Sequence, residues 1–269
     1  MATITAAMVN ELRAKTGQPM MECKKMLNET GGDIAAAERK FREKGVKTSV
    51  LERAANEGRV FVATSADAKR GAIVEINCNT DFTAKSEELA SLGDKAIKKL
   101  LGGAADVTSD ADVKADLTAL SQKTGENVQL GRTSVVTAEH VGAYLYSTAG
   151  KGKTAALMGF SGGGNEEITR LTGMHIVAAK PIAMTRSDVP ADVVAREKDI
   201  AVEQAKQSGK PQQIAEKIAE GKMNAFYGER VLLDQDFING EVFKGKVSDM
   251  LKSKGATLTK YVRVEVGQA

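Results

Sequence analysis

Apolar residues recur along the chain with two different periods, and the switches between them divide it. From Thr5 to Gly45 the spacing is helical. Met8, Val9 and Leu12 form one face between a capping Thr5 and Gly17. Met20, Cys23 and Leu27 form a second face after Pro19, and Ile34, Ala37 and Phe41 a third between Asp33 and Gly45. Three short helices enclose only a marginal core, so a module of this size binds or leans on something else. Residues 46–57 (VKTSVLERAANE) read as a polar helical linker.

The pattern then alternates. Residues 59–66 and 71–78 flank a polar turn and predict a hairpin. Helices follow over 84–101 and 110–123, stopped by Gly102-Gly103 and by Gly125, and 127–137 returns to strand. The same order recurs. Residues 140–147 and 154–160 predict a second hairpin, the Gly-rich stretch 161–164 a turn, and 165–180 a helix, which reads as a tandem duplication. Two charged helices, 192–207 and 212–228, are separated by Ser208-Gly209-Lys210-Pro211 and fold back as a hairpin. Their seam is thin: Val193, Val194, Ile200 and Ala201 against Ile214, Ile218 and Met223. A helix over 242–254 and a strand over 257–266 close the chain. The expected fold class is α+β, with an N-terminal three-helix module, duplicated core subdomains on antiparallel sheets and an inserted helical hairpin. The expected units are 1–54, 55–139, 140–182 with 235–269, and 183–234.

One short motif stands out from this pattern. Thr80-Asp81-Phe82 lies between the apolar run 71–78 (GAIVEINC) and the helix that follows it, at a strand-to-helix turn where backbone N–H groups are free. Aromatic residues are only 4% of the chain, so a phenylalanine spent on a turn is unusual. Asp81 could cap the helix with Phe82 packed beneath it. A staple of that kind needs an apolar residue at the fourth helical position, and a cap at Asp81 or Thr83 puts Lys85 or Glu87 there. The alternative is an exposed Phe82 that enters a partner. The second copy of the repeat has Ser161-Gly162-Gly163-Gly164 at the corresponding turn, so the fold does not require the aromatic. That asymmetry favours function for Phe82.

Composition narrows the function. The 269 residues carry 38 basic and 35 acidic side chains, a net charge of +3, which is too balanced for a protein that coats nucleic acid. The pI of about 8.7 still leaves a ribosome- or RNA-binding module as a rival. The first residues, MATITAAMVNELRAK, have no apolar signal core, and no run approaches a membrane span, so a cytoplasmic location is expected. Two cysteines, Cys23 and Cys78, suit a reducing compartment and offer no disulfide framework. With two histidines they give zinc no support, and no metal or cofactor is expected. Gly150-Lys151-Gly152-Lys153-Thr154 resembles a phosphate loop, but the first glycine would fall at Ser147 and strand follows in place of a helix. A nucleotide-using enzyme at that turn is the second rival. The glycines at 162–164 could bind an anion, though a flexible connector is the plainer reading. Lys24 and Lys25 fall on the polar side of the second helix, where a solvated face is the plain reading. His175, just before the end of its helix, reads most plainly as a packing histidine.

Several motifs occur together in one order. They are Thr16-Gly17, Met20-Met21-Glu22-Cys23-Lys24-Lys25, Gly32-Asp33, the stretch 75–85 (EINCNTDFTAK), Gly125-Glu126-Asn127, Met174-His175 with Lys180-Pro181, 208–211 (SGKP) and the tail 263–267 (RVEVG). In these, over nearly its whole length, the chain resembles the bacterial elongation factor Ts family. The resemblance implies a guanine-nucleotide exchange factor for the translational GTPase elongation factor Tu, with no bond made or broken. It implies a ubiquitin-associated-like N-terminal module that meets the nucleotide domain of the GTPase, with Lys24 as a contact. It implies that Asp81 and Phe82, with Thr80, form the wedge, and that Gly125 lies in a second contacting loop beside Thr124, where an apolar residue is common. Further contact positions implied are Tyr146, where some members have histidine, His175, and Ile238-Asn239 against a distal domain. The helical hairpin serves self-association in some members, so a homodimer through it is an expectation.

Overall fold

A computed structural model of the protein describes residues 4–43, 54–148, 151–207 and 212–268. The predicted linker at 46–57 and the predicted turn at 208–211 lie largely or wholly outside the described residues.

Three helices, α1 (Ala6–Thr16), α2 (Met20–Glu29) and α3 (Ile34–Glu43), pack around Val9, Leu12, Cys23, Met26, Leu27, Ala37 and Phe41. Thr5 caps α1 through a bond from the Met8 N–H, and Gly17 closes it at φ +67°.

The centre of the molecule is two three-stranded antiparallel sheets. In the first, β1 (Glu57–Thr64) pairs with β2 (Arg70–Cys78), and β2 with β3 (Gln129–Thr137). In the second, β4 (His140–Thr148) pairs with β5 (Lys151–Ser161), and β5 with β6 (Thr257–Glu265). Strand orders are β1-β2-β3 and β4-β5-β6, so both sheets have a hairpin followed, after helices, by a third strand beside the second.

The apolar runs in β2 and β5 are continuous because both faces of each central strand are buried. Ile73, Ala155 and Leu157 point between the sheets, with Val60, Val136, Val141 and Val264. Ala72, Val74 and Ile76 point the other way, under Leu89, Leu92, Ala96 and Leu100. Ala156, Met158 and Phe160 do the same on the second sheet, under Ile168, Leu171, Ile176, Met250 and Leu251. The result is helix, sheet, sheet, helix. Gly71 permits the close approach of the sheets, since a Cβ there would fall 2.6 Å from side-chain atoms of both Leu157 and Val141.

The covering helices are α4 (Asp81–Lys85), α5 (Glu87–Leu101), α6 (Ala111–Thr124), α7 (Glu166–Ala179) and, after the insertion, a short helix at Val247–Ser253. The single helix expected over 84–101 is therefore two. Ser86 leaves the helical region (ψ 149°) and its hydroxyl accepts the Leu89 N–H at 3.2 Å, so a serine that competes for backbone donors resets the helix. The helix expected from 242 begins only at Val247. Gly245 takes φ +137° and its carbonyl accepts the Phe237 N–H at 2.8 Å, which ties 237–245 into a loop.

The insertion consists of α8 (Ala191–Gln207) and α9 (Gln212–Arg230), with the helix at Val247–Ser253 thus α10. Chain leaves and returns side by side: the Ile182 N–H donates to Arg230 O, and Leu232 N–H to Ala183 O. The seam keeps the expected Ala201, Ile218 and Met223 and differs in the rest. Ala201 and Ala205 meet Ala215 and Ala219, flanked by Val202, Ile218 and Met223, while Ile200 and Ile214 face outward. Small residues let the helices approach closely, so the larger ones are turned out. Val193 and Val194 pack at the base with Ala183, Val189 and Val231.

The segment with a superficial likeness to a phosphate loop is strand from Lys151 onward. Lys153 pairs with Glu57 at 2.6 Å, and a Cβ on Gly152 would lie 2.6 Å from Val60 O. The Gly-rich turn at 162–164, expected as a flexible connector, lies close against its neighbours on one side and is exposed at Gly162 and Gly163 on the other. A Cβ at Gly163 would lie 2.6 Å from the Gly255 backbone and one at Gly164 2.7 Å from His140, and Glu139 accepts the Gly162 N–H at 2.9 Å. No helix among the described residues is long and apolar enough to cross a membrane.

Candidate protein-interaction site

The Thr80-Asp81-Phe82 turn starts where β2 stops. The Cys78 thiol donates to Thr80 O at 3.2 Å, and Thr80 is extended (φ −124°, ψ 157°) with its hydroxyl accepting the Thr83 N–H. Thr80 is thus the cap of α4, in place of the Asp81 or Thr83 that the sequence offered. Asp81 is the first helical residue, placed favourably at the helix start and paired with Lys85 at 2.8 Å one turn on. Phe82 follows on the outer side with 82% of its surface exposed, so it does not pack beneath the helix. A ring left in water at a rigid turn forgoes the burial that phenylalanine ordinarily gains.

The turn is held from the loop after α6. Gly125 ends that helix in the left-handed region at φ +70°, where glycine carries no steric penalty. The reversal brings Glu126 under the end of β2. One carboxylate oxygen, Oε2, accepts the N–H groups of Asn79 and Thr80, both at 3.0 Å. The other, Oε1, accepts the hydroxyls of Thr80 at 2.6 Å and Thr83 at 2.8 Å. The Asn127 N–H donates to Asn79 Oδ1 at 2.8 Å, and Asn79 Nδ2 donates to Ala54 O at 2.9 Å. Thr124 is exposed at the helix end, and its hydroxyl donates to Leu120 O and accepts the Glu126 N–H. The structure therefore brings Thr80, Asp81, Phe82, Thr124 and Gly125 into one surface.

The other candidates lie apart from that turn. Lys24 is exposed on α2 beside Met21 and Lys25. Its module leans on α6 through α1, where Gln122 Nε2 reaches Asn10 O at 3.5 Å beside Ala14, Leu117 and Ser121. Tyr146 is half exposed on β4 of the second sheet, opposite Thr154. Ile238 is half exposed, and Asn239 shapes its loop by accepting the Glu241 and Val242 N–H groups. His175 is a correction: only 1% exposed, it offers no surface to a partner. Its Nδ1 accepts the Ile238 N–H at 3.2 Å, which places the proton on Nε2 for a bond to Gln235 Oε1 at 3.0 Å. Stacked on Phe237, it fixes the loop that presents Ile238.

Against this geometry, the family model described as Elongation factor TS matches residues 79–268, which begins at Asn79 of the turn. The chain belongs to the elongation factor Ts family. It is similar to Elongation factor Ts of Photorhabdus laumondii subsp. laumondii, with 42% identity over the whole chain and 94% of that protein. It is also similar to those of Sodalis glossinidius (40%) and Yersinia pestis (39%), each over the whole chain and 93% of the relative. The N-terminal module lies outside the family match but inside these alignments. Membership of the elongation factor Ts family makes the chain a translation elongation factor of protein biosynthesis.

Sequence reasoning passed over Glu126, Asn79 and Gln235. The first two sit within motifs that were visible, Gly125-Glu126-Asn127 and 75–85, but the bonds that join these two motifs span 43 to 48 positions and no local pattern encodes them. Nothing local marked Gln235. The buried His175 has one consequence for solution behaviour. Burial pushes its pKa below the usual value of 6.5, against a smaller opposite effect of Gln235. The unfolded chain therefore takes up the proton first, so this contribution to stability is complete above about pH 6.5 and is lost as pH falls through the lower folded value. Urea midpoints should decline as pH falls below about 6.5, and His175→Asn should flatten that decline. An unchanged slope in the variant assigns the proton uptake to another group.

Proposed function

We propose that the chain is a guanine-nucleotide exchange factor for elongation factor Tu, with Phe82 as its wedge. The observation that carries this reading is a phenylalanine 82% exposed on a turn that donates four hydrogen bonds to a carboxylate from a second loop. Such a ring suits a partner pocket, where aromatic anchors dominate binding energy. Pushed between elements that support the magnesium site of the GTPase, it displaces them and weakens GDP. Linkage requires the converse: GDP lowers the affinity of the factor by the same ratio. GTP, in cellular excess, then refills the site and releases the factor. No bond is made or broken.

Asp81, Thr80, Thr124 and Gly125 surround the ring in this reading. Lys24 holds the nucleotide domain, while Ile238-Asn239, backed by His175, and Tyr146 meet more distant parts of the GTPase. The proposed units remain 1–54, 55–139, 140–182 with 235–269, and the hairpin 183–234. The outward-facing Ile200 and Ile214 suit that hairpin to self-association. Stopped-flow release of labelled GDP from the cognate GTPase tests the main claim. Release should accelerate with factor concentration and saturate. A release rate independent of the factor overturns it.

A further inference from the structure

We propose that Glu126 is the positioning residue of the wedge: its carboxylate holds the Asn79–Thr83 turn in the geometry that presents Phe82. The proposal deepens the exchange reading and rests on it.

The ring cannot position itself. At 82% exposure it has almost no packing, so its place is set by the backbone beneath it. That backbone belongs to α4, which is too short to hold its own conformation by propagation and is followed at once by the break at Ser86. What fixes it comes from outside. Glu126 accepts four hydrogen bonds from this turn, two on each oxygen, and among the described residues no lysine or arginine pairs with it. Its charge is therefore satisfied by the turn itself, and a charged acceptor makes such bonds stronger than neutral ones. Asn79 extends the bracket, bound on one side to Asn127 N–H and on the other to Ala54 O.

The second repeat provides a control. Its turn is located by contact: Gly163 lies against the Gly255 backbone and Gly164 against His140, with one bond from Gly162 N–H to Glu139. That turn stays exposed at Gly162 and Gly163 because glycines approach their neighbours without side chains, a solution closed to a turn that must present a ring. A turn that carries an exposed phenylalanine needs another fixture, and a carboxylate reaching up from below supplies it without covering the ring. A wedge fixed in advance loses less freedom when it enters its partner.

The test uses the full chain with Glu126→Ala, Glu126→Gln and each combined with Phe82→Ala. Two quantities are read: amide hydrogen exchange of Asn79 and Thr80 in the free protein, and GDP release from the cognate GTPase over a range of factor concentration. Glu126→Ala should lower amide protection at both positions and reduce the GDP release rate by about tenfold, the loss of one or more charge-assisted bonds. Glu126→Gln should restore most of both, because one amide oxygen can still accept two N–H groups and the threonine hydroxyls can turn to accept from the NH₂. In the Phe82→Ala background, Glu126→Ala should cost no further release. An equal loss with and without the ring overturns the proposal, as does wild-type protection in Glu126→Ala. If Glu126→Ala fails to fold, Glu126→Asp takes its place. One methylene shorter, it cannot reach both sides of the turn, and its wild-type behaviour in both readouts likewise overturns the proposal. Failure of the exchange reading is distinguishable, since Phe82→Ala alone would then leave GDP release unchanged while amide protection still reports on Glu126.

Discussion

Phe82→Ala should slow factor-dependent GDP release by about 30-fold or more and leave the fold intact. An aromatic anchor contributes roughly 2 to 4 kcal/mol to an interface, and each 1.4 kcal/mol is about a factor of ten. In the free protein the ring is in water, so its removal creates no cavity. Surface substitutions without a structural role usually fall within about 0.5 kcal/mol, and the urea midpoint should stay near that of the wild type. Asp81→Ala should have a smaller effect on exchange. Its pairing with Lys85 is a solvent-exposed helical contact worth only a few tenths of a kcal/mol, and the cap is Thr80, which the substitution leaves in place. The measurements to pair are the midpoint and the release rate of the same preparation. Normal release by Phe82→Ala removes the wedge, and a large fall in midpoint contradicts its exposure.

Much of this could be read from the chain because local chemistry decided it. The β2 and β5 runs are apolar without alternation, and both strands are buried on two faces. Gly17 and Gly125 end helices in the left-handed region, as glycine at those places indicates. The exposure of Phe82 followed from the polar residues at the positions where a staple would need apolar ones. What could not be read depended on partners far along the chain. Ser86 looked like one more polar residue inside a helix, and only the packing of α5 on β2 selects its alternative role as a cap. The hairpin seam was misread in part, because helical spacing gives a face and not its depth: Ala201, Ile218 and Met223 stand as expected, but Ala205, Ala215 and Ala219 pack where Ile200 and Ile214 were expected. His175 was read as a packing residue and carried also as a contact. Its ring nitrogens face Gln235 and Ile238, 60 and 63 positions away, which no local pattern encodes. Glu126 is the same case at the site: its sequence neighbours are unremarkable in type, and its importance lies in where Gly125 turns the chain.

The same substitution at another phenylalanine should do the reverse. Phe160 is fully buried between the second sheet and its helices, against Ile168, Leu171 and Leu251 in one cluster, with the His140 ring 6.2 Å away. Phe160→Ala removes apolar surface and leaves a cavity that close-packed neighbours cannot fill, a loss of roughly 3 to 5 kcal/mol. Against a total of about 5 to 15 kcal/mol for a typical domain, that is a large share, and the midpoint should fall accordingly. Exchange per folded molecule should be kept. Lys153, near the start of β5, pairs with Glu57, which lies opposite Cys78 at the end of β2 where the wedge begins. Phe160 is seven residues further along β5, so strand geometry puts it roughly 20 Å from that end. Denaturation curves and GDP release, with the rate normalised to the folded fraction, separate the two roles. A normalised rate as low as that of Phe82→Ala would mean that the second sheet transmits its packing to the wedge, and the two phenylalanines could no longer be assigned one to function and one to the core.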